Sequence, residues 1–134
     1  MIHALSPIEP IDYLVIGHIT QDITQNGFKA GGTASYAALT AHAFGLRVGI
    51  FTSFAEDAVL PNLNGIQIIN NVAESSSVFE NIYTKNGRHQ IIHSVADILH
   101  PRNLPETWFR TPIVHFGPVA REIDSDFLKV FPNS

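Results

Sequence analysis

The stretch "GFKAGGTASYAALTAHAFGLRVGIFTSFA", residues 27–55, decides how the rest of the chain is read. Two glycines, Gly31 and Gly32, stand in front of an alanine-rich run over 33–44. Ala34, Ala38, Ala41 and Gly45 recur there near helical spacing, so one face is small enough to lie close on a sheet. Gly45 suits the position after a helix C-terminus. "RVGIFTSF" (47–54) then reads as a strand, and "YLVIG" (13–17) upstream reads as another, buried on both faces. Strand, helix, strand in this order is a βαβ unit, which requires a parallel pair. Glycines at the mouth of the helix let a small polar ligand approach backbone amides that no helical bond satisfies.

The flanking sequence extends this pattern. Residues 1–11 carry two prolines and read as an extended lead-in, and 18–30 as a polar loop with an Asn26-Gly27 turn. "GIQII" (65–69) is a short strand. "SVFENIYTKNGRHQIIHSV" (77–95) is a hairpin about Asn86-Gly87. Residues 96–111 read as loop or short helix. "PIVHFG" (112–117) is a strand, apolar on both faces and so expected in a central position. "EIDSDFLKVF" opens a helix with Asp124 or Ser125 as its N-cap. No strand follows it, so the sheet is expected to be unfinished, or else closed by the hairpin or the "GIQII" strand.

Composition narrows the function classes. The chain has 134 residues, 45% hydrophobic and 15% charged, which suits one globular domain or part of one. A net charge of −4 argues against a nucleic-acid or membrane surface. With no cysteine, thiol nucleophiles, disulfides and zinc-thiolate sites are excluded. No apolar run approaches the roughly 20 residues of a membrane span. The N-terminus lacks a basic region followed by an uninterrupted apolar one, so the expected location is cytoplasmic.

In open α/β sheets ligands bind beyond the carboxyl ends of the strands. "GHITQD", "AGGTAS" and "GPVARE" should converge there. Asp22 can accept two hydrogen bonds from neighbouring hydroxyls, as a sugar or nucleoside would offer. The site suits a small polyol, with phosphate as the competing guest. Two plainer roles stand beside these: Gly31-Gly32 as a tight turn, and Asp22 as a loop cap. There is no G-x-G-x-x-G and no Gly-Lys-Ser/Thr. His89 and His93 would share a strand face about 13 Å apart, at roughly 3.3 Å per residue, too far for one metal. His18 and His115 lie near strand ends, where a hydrogen-bonded structural role is expected.

"YLVIGHITQDI" followed by "GGTASYAALTAHAFGLRVGIFTSFAED" resembles the N-terminal half of the ribokinase-like (PfkB) sugar kinases. "FENIYTKNGRHQII" is similar to that family's hairpin beside the substrate, and "IVHFGPVAREID" to the strand and turn that follow. The resemblance covers about residues 12–126. It implies an α/β fold, a mostly parallel sheet with helices on both faces and a reduced β lid or hairpin, incomplete here. It implies that ATP, with Mg, phosphorylates a hydroxyl of a sugar or nucleoside. Asp22 would hold substrate hydroxyls, Gly31 and Gly32 would line the pocket, and Thr20 would add a polar contact. Tyr36 stands where the family often has Asn, which alters the substrate preference. Eight residues lie between Asp22 and Gly31, where many members insert lid strands, and the connection at 55–64 is too short for a full family helix. The family's catalytic Asp sits in a Gly-Ala-Gly-Asp motif in the C-terminal half, with the nucleotide site. This chain has no such motif, and no catalytic, cofactor-binding or metal-binding residue is assigned. Residues 1–134 are expected to form the substrate-binding part alone, completed by a C-terminal half or by a second copy. The alternative is a non-enzymatic small-molecule binding or regulatory module. An in-frame Gly-Ala-Gly-Asp segment beyond Ser134 would favour the kinase.

Overall fold

A computed structural model describes residues 8–131. The expected N-terminal lead-in therefore lies partly outside the described residues. Two four-stranded sheets make the fold. The first is parallel and is ordered β5-β4-β1-β8, with β1 Tyr13–Ile16, β4 Val48–Thr52, β5 Gln67–Asn70 and β8 Ile113–Phe116. The second is ordered β3-β2-β6-β7, with β2 Thr20–Thr24, β3 Gly27–Gly31, β6 Ser77–Thr84 and β7 Gly87–Ser94. One α-helix, α1, spans Thr33–Ala43.

Alternation in β1 builds a core on each side of the parallel sheet. Val15 faces α1 and packs with Ala34, Ala38, Ala41, Val48 and Ile50. The small side chains let the helix lie close, as its spacing predicts. α1 ends in a Schellman motif, where Leu46 N–H reaches Ala41 O (3.3 Å) and Gly45 N–H reaches His42 O (2.9 Å). Leu14 and Ile16 face the other way, onto Phe51, Leu99, Trp108 and Phe127. Cover on that face is 3₁₀ rather than α. Trp108 comes from the 3₁₀ turn Glu106–Trp108 and Phe127 from Ser125–Lys129, while the 3₁₀ turn Pro101–Asn103 leads into the buried Leu104. Pro101 and Pro105 lack the N–H a continuing α-helix needs. Phe116, Phe127 and Phe131 pack ring on ring with centroids 6.0–6.3 Å apart. Asp124 caps the last turn, accepting from Asp126 N–H at 2.9 Å.

Two expectations need correction. The segment 18–30 is not a loop: β2 and β3 pair antiparallel from Thr20↔Gly31 to Thr24↔Gly27. The eight residues between Asp22 and Gly31 therefore suffice for a hairpin, and its partner β6 joins β2 in parallel through Thr20–Asp22. The polar sequence of β2 hid the strand, because its stability comes from pairing on both edges rather than from an apolar face. The strand at 112–117 is also not central. β8 is the edge of its sheet among the described residues, and Ile113 is 46% exposed. The connection from β4 to β5 holds no helix. The buried Gln21 side chain fastens it instead, accepting from Val59 N–H (2.8 Å) and donating to Val59 O (2.9 Å). Among the described residues, no helix is long and apolar enough to cross a membrane.

Candidate functional site

A cleft of about 830 Å³ opens where the two sheets meet α1. The three segments expected to converge do so. Thr20 and Asp22 come from β2, Gly32 and Thr33 from the start of α1, and Val119 from the turn after β8. The second hairpin adds Phe79, Asn81, Arg88 and Gln90, while Tyr13, Tyr36 and His115 line the side beneath α1. Of the five expected substrate contacts, Thr20, Asp22, Gly32 and Tyr36 face this cleft, and Gly31 lies directly behind Asp22.

The geometry separates the roles of the two glycines. A Cβ on Gly31 would strike the carboxylate of Asp22 and come within 2.9 Å of Thr20 Oγ1. The bare Cα is therefore what lets Asp22 lie across β3. Thr20 Oγ1 donates to Asp22 Oδ1 at 2.9 Å, so the carboxylate is held from one side with acceptor capacity to spare. Gly32 is constrained by the backbone. Its φ of +90° is the left-handed region, and a Cβ there would lie 2.6 Å from His18 O. No side chain caps the helix that Gly32 opens, and no acidic residue stands in its first turn.

His18 and Glu122 fasten the base of the cleft. His18 is fully buried, with Nδ1 2.7 Å from Ser77 Oγ and Nε2 2.7 Å from Asp97 O. A carbonyl only accepts, so Nε2 carries the proton and Nδ1 accepts from the serine hydroxyl. Burial holds His18 below the usual imidazole range, although the Asp97 carbonyl and the charges of Glu122 and Asp97 push the other way. The Glu122 carboxylate is also fully buried. It accepts from His18 N–H (2.9 Å), Val119 N–H (2.9 Å) and Ala120 N–H (2.8 Å). Burial alone would raise its pKa, but these N–H donors and the nearby imidazole bring it below the usual carboxylate value. The strand-end turns of β1 and β8 are thus tied together by one side chain. Sequence reasoning missed Glu122, because a glutamate in a polar turn carries no mark of where its carboxylate folds back. His18 has the expected structural role. His115 Nδ1 meets the Tyr13 hydroxyl at 2.5 Å inside the cleft.

No protein-family model matches the chain, and no curated protein does. Solved structures do match in shape. A pyrophosphate-dependent kinase in the ribokinase family, complexed with a pyrophosphate analog and myo-inositol, superposes with a TM-score of 0.71 at 23% identity, covering 88% of this chain and 44% of that one. A sulfate complex of a pyrophosphate-dependent kinase in the same family gives 0.71 at 21% identity, covering 88% and 45%. Ribokinase from Arabidopsis thaliana, complexed with ribose and ATP, gives 0.60 at 17% identity, covering 91% and 50%. The chain therefore has a ribokinase-like fold and spans no more than half the length of these kinases.

Proposed function

We propose that this chain is the substrate-binding portion of a kinase that phosphorylates a hydroxyl of a sugar or related polyol. The observation that carries this reading is the Asp22 carboxylate, held by Thr20 over the bare Cα of Gly31 and facing a cleft beneath two hairpins. A carboxylate so placed accepts from vicinal hydroxyls and fixes the ring. Myo-inositol and ribose complexes among the structurally similar kinases support a polyol rather than an apolar guest. A cytoplasmic location belongs to the same reading.

The phosphoryl donor in this reading is ATP, as in the ribokinase complexed with ATP, and magnesium would accompany it. A magnesium site does not fit the described residues. Asp22 is the only acidic side chain lining the cleft, and no group of three His, Asp or Glu side chains among the described residues could hold a metal ion. The donor would be held by a complementary half, pairing along the free edge of β8, or by a second copy on the same edge. Light scattering at micromolar concentration tests this, and a monodisperse monomer with a cooperative melt would defeat the second-copy arm. The chain by itself is expected to release no ADP from ATP with any polyol. The binding reading is tested by calorimetric titration with ribose, myo-inositol and adenosine. Asp22→Ala is expected to weaken the best ligand by about 1.5–3 kcal/mol, the worth of a charged hydrogen bond. Unchanged binding in that variant moves the pocket elsewhere.

A further inference from the structure

The cleft contains one cation as well as one anion. Arg88 is the only lysine or arginine among the lining residues, and Asp22 the only Asp or Glu. Arg88 stands at the second position of β7, on the face it shares with Gln90, and Asn81 lies across the hairpin from Gln90. The two amides between are tied together, with Gln90 Nε2 donating to Asn81 Oδ1 at 3.0 Å. Arg88 is paired with no carboxylate among the described residues, whereas Arg47 is held by Asp12 and Lys129 by Asp126. The chain as a whole is acidic, with a net charge of −4, so a guanidinium here is not part of a general basic surface.

A neutral polyol needs acceptors and donors but no fixed cation. A guanidinium bonds most strongly to an anion, with two parallel N–H donors that match a carboxylate or phosphate. At about 830 Å³ the cleft lies in the upper part of the usual ligand-pocket range of about 300–1,000 Å³, which leaves room for a substituent beyond a single ring. We infer that Arg88 reads an anionic group, phosphate or carboxylate, carried by the polyol whose hydroxyls Asp22 holds. This rests on the polyol reading and sharpens it: the substrate is a sugar phosphate or a sugar acid. The second hairpin then supplies specificity while the first supplies hydroxyl recognition.

Matched pairs of probes test it: ribose 5-phosphate against ribose, and gluconate against glucitol, titrated by calorimetry at low ionic strength. The two pairs separate phosphate from carboxylate. At least one charged member is expected to bind about tenfold or more tightly than its neutral partner, and the ratio should shrink as salt is added. Arg88→Gln should bring that ratio to about one. Lys85→Gln, at the tip of the same hairpin and outside the cleft, should leave it intact. No preference for the charged member overturns the inference, as does a preference that survives Arg88→Gln or is lost equally in Lys85→Gln. An equal loss of charged and neutral members in Arg88→Gln also overturns it, because the arginine then serves the hydroxyl site or the fold. If neutral probes bind through Asp22 without charge preference, only this inference falls. If no probe binds, the polyol reading falls with it.

Discussion

The two hairpins turn on the same four-residue sequence pattern and differ in nearly everything else. "TQNG" (24–27) closes β2 and β3, and "TKNG" (84–87) closes β6 and β7. In each, the threonine hydroxyl accepts from the asparagine N–H, at 3.3 and 3.2 Å, and donates to the glycine carbonyl, at 3.1 and 3.2 Å. Gly27 and Gly87 have φ of +118° and +113°. The two residues before each glycine have negative φ, so these are turns closed by a left-handed glycine, not the type I′ turn that Asn-Gly suggests. What differs is the base. The first hairpin runs through Gly31 and Gly32 straight into α1, and the pairing the two hairpins share, Thr20–Asp22 with Ser77–Phe79, covers most of the five-residue β2 but only the base of β6. The second has eight-residue strands, and β7 is exposed along nearly its whole length. Turn chemistry makes a hairpin, but the base decides whether it is a rigid wall or a movable one.

If the first hairpin is rigid because of its base, the largest effect should come from Gly32. An L-residue there takes on left-handed strain and a backbone clash with His18 O that no side-chain rotation relieves. Gly32→Ala is expected to cost about 3 kcal/mol or more, read as a lowered midpoint in urea with an unchanged slope. A loss below about 1 kcal/mol would show that the base yields, and that the contrast between the hairpins is one of length only.

The same contrast explains what the sequence disclosed. The βαβ unit, the α1 bounds and the second hairpin were legible because apolar periodicity and turn chemistry agree there. The first hairpin was not, although its turn has the same pattern. Thr20, Gln21 and Asp22 show no apolar alternation, since β2 is stabilised by two strand partners and by Gln21 reaching Val59. The candidate site was legible at Gly31 and Gly32, whose residue type is tied to backbone approach, and at Asp22, a carboxylate close beyond the end of an apolar strand. Asn81, Arg88 and Gln90 were not, because which face of a hairpin turns inward depends on a sheet the sequence did not reveal. Likewise the edge position of β8 depends on partners, not on its own residues.

His18 is where the two bases meet, reaching Ser77 at the start of β6 from the turn that leads into β2. His18→Gln keeps polarity but cannot span both partners, and should cost about 2–3 kcal/mol through unsatisfied buried groups. The pH dependence gives a second readout. The folded protein holds His18 below its ordinary value of 6.5, so the unfolded chain takes up a proton that the folded one refuses. Stability is therefore complete above about pH 6.5 and falls as the pH is lowered from there towards the folded-state value, by at most about 1.4 kcal/mol per pH unit for one proton. Glu122, held below 4.5, adds a further loss of stability at more acid pH. In His18→Gln the slope just below pH 6.5 should flatten. An unchanged slope would assign it to other groups.

Gly31→Ala separates rigidity from binding. The new methyl meets side-chain atoms, the end of Asp22 and Thr20 Oγ1, not backbone, so the carboxylate and the hydroxyl that holds it can swing away together. Stability should change by less than about 1 kcal/mol, while the best polyol loses the same 1.5–3 kcal/mol or so expected for Asp22→Ala. Combining the two substitutions should add little, since both remove one contact. Full additivity in calorimetry would mean that Gly31 contributes to binding independently of Asp22.

The smallest effects belong to the tips. A Cβ on Gly27 or Gly87 meets nothing within 4 Å, so only the left-handed φ is at stake. Gly27→Ala and Gly87→Ala should each strain the turn by about 1–2 kcal/mol locally. Strain in a segment that opens alone is relieved by local opening and does not reach the global melt. The first hairpin is held at its base by α1 and along most of β2 by β6, so Gly27→Ala should lower global stability by most of that amount. The second can fray from its tip, so Gly87→Ala should lower global stability less and instead speed amide exchange over residues 82–90. Equal global losses with no local gain in exchange would make the two hairpins equally rigid. Arg88 would then stand on a wall as fixed as the one that carries Asp22.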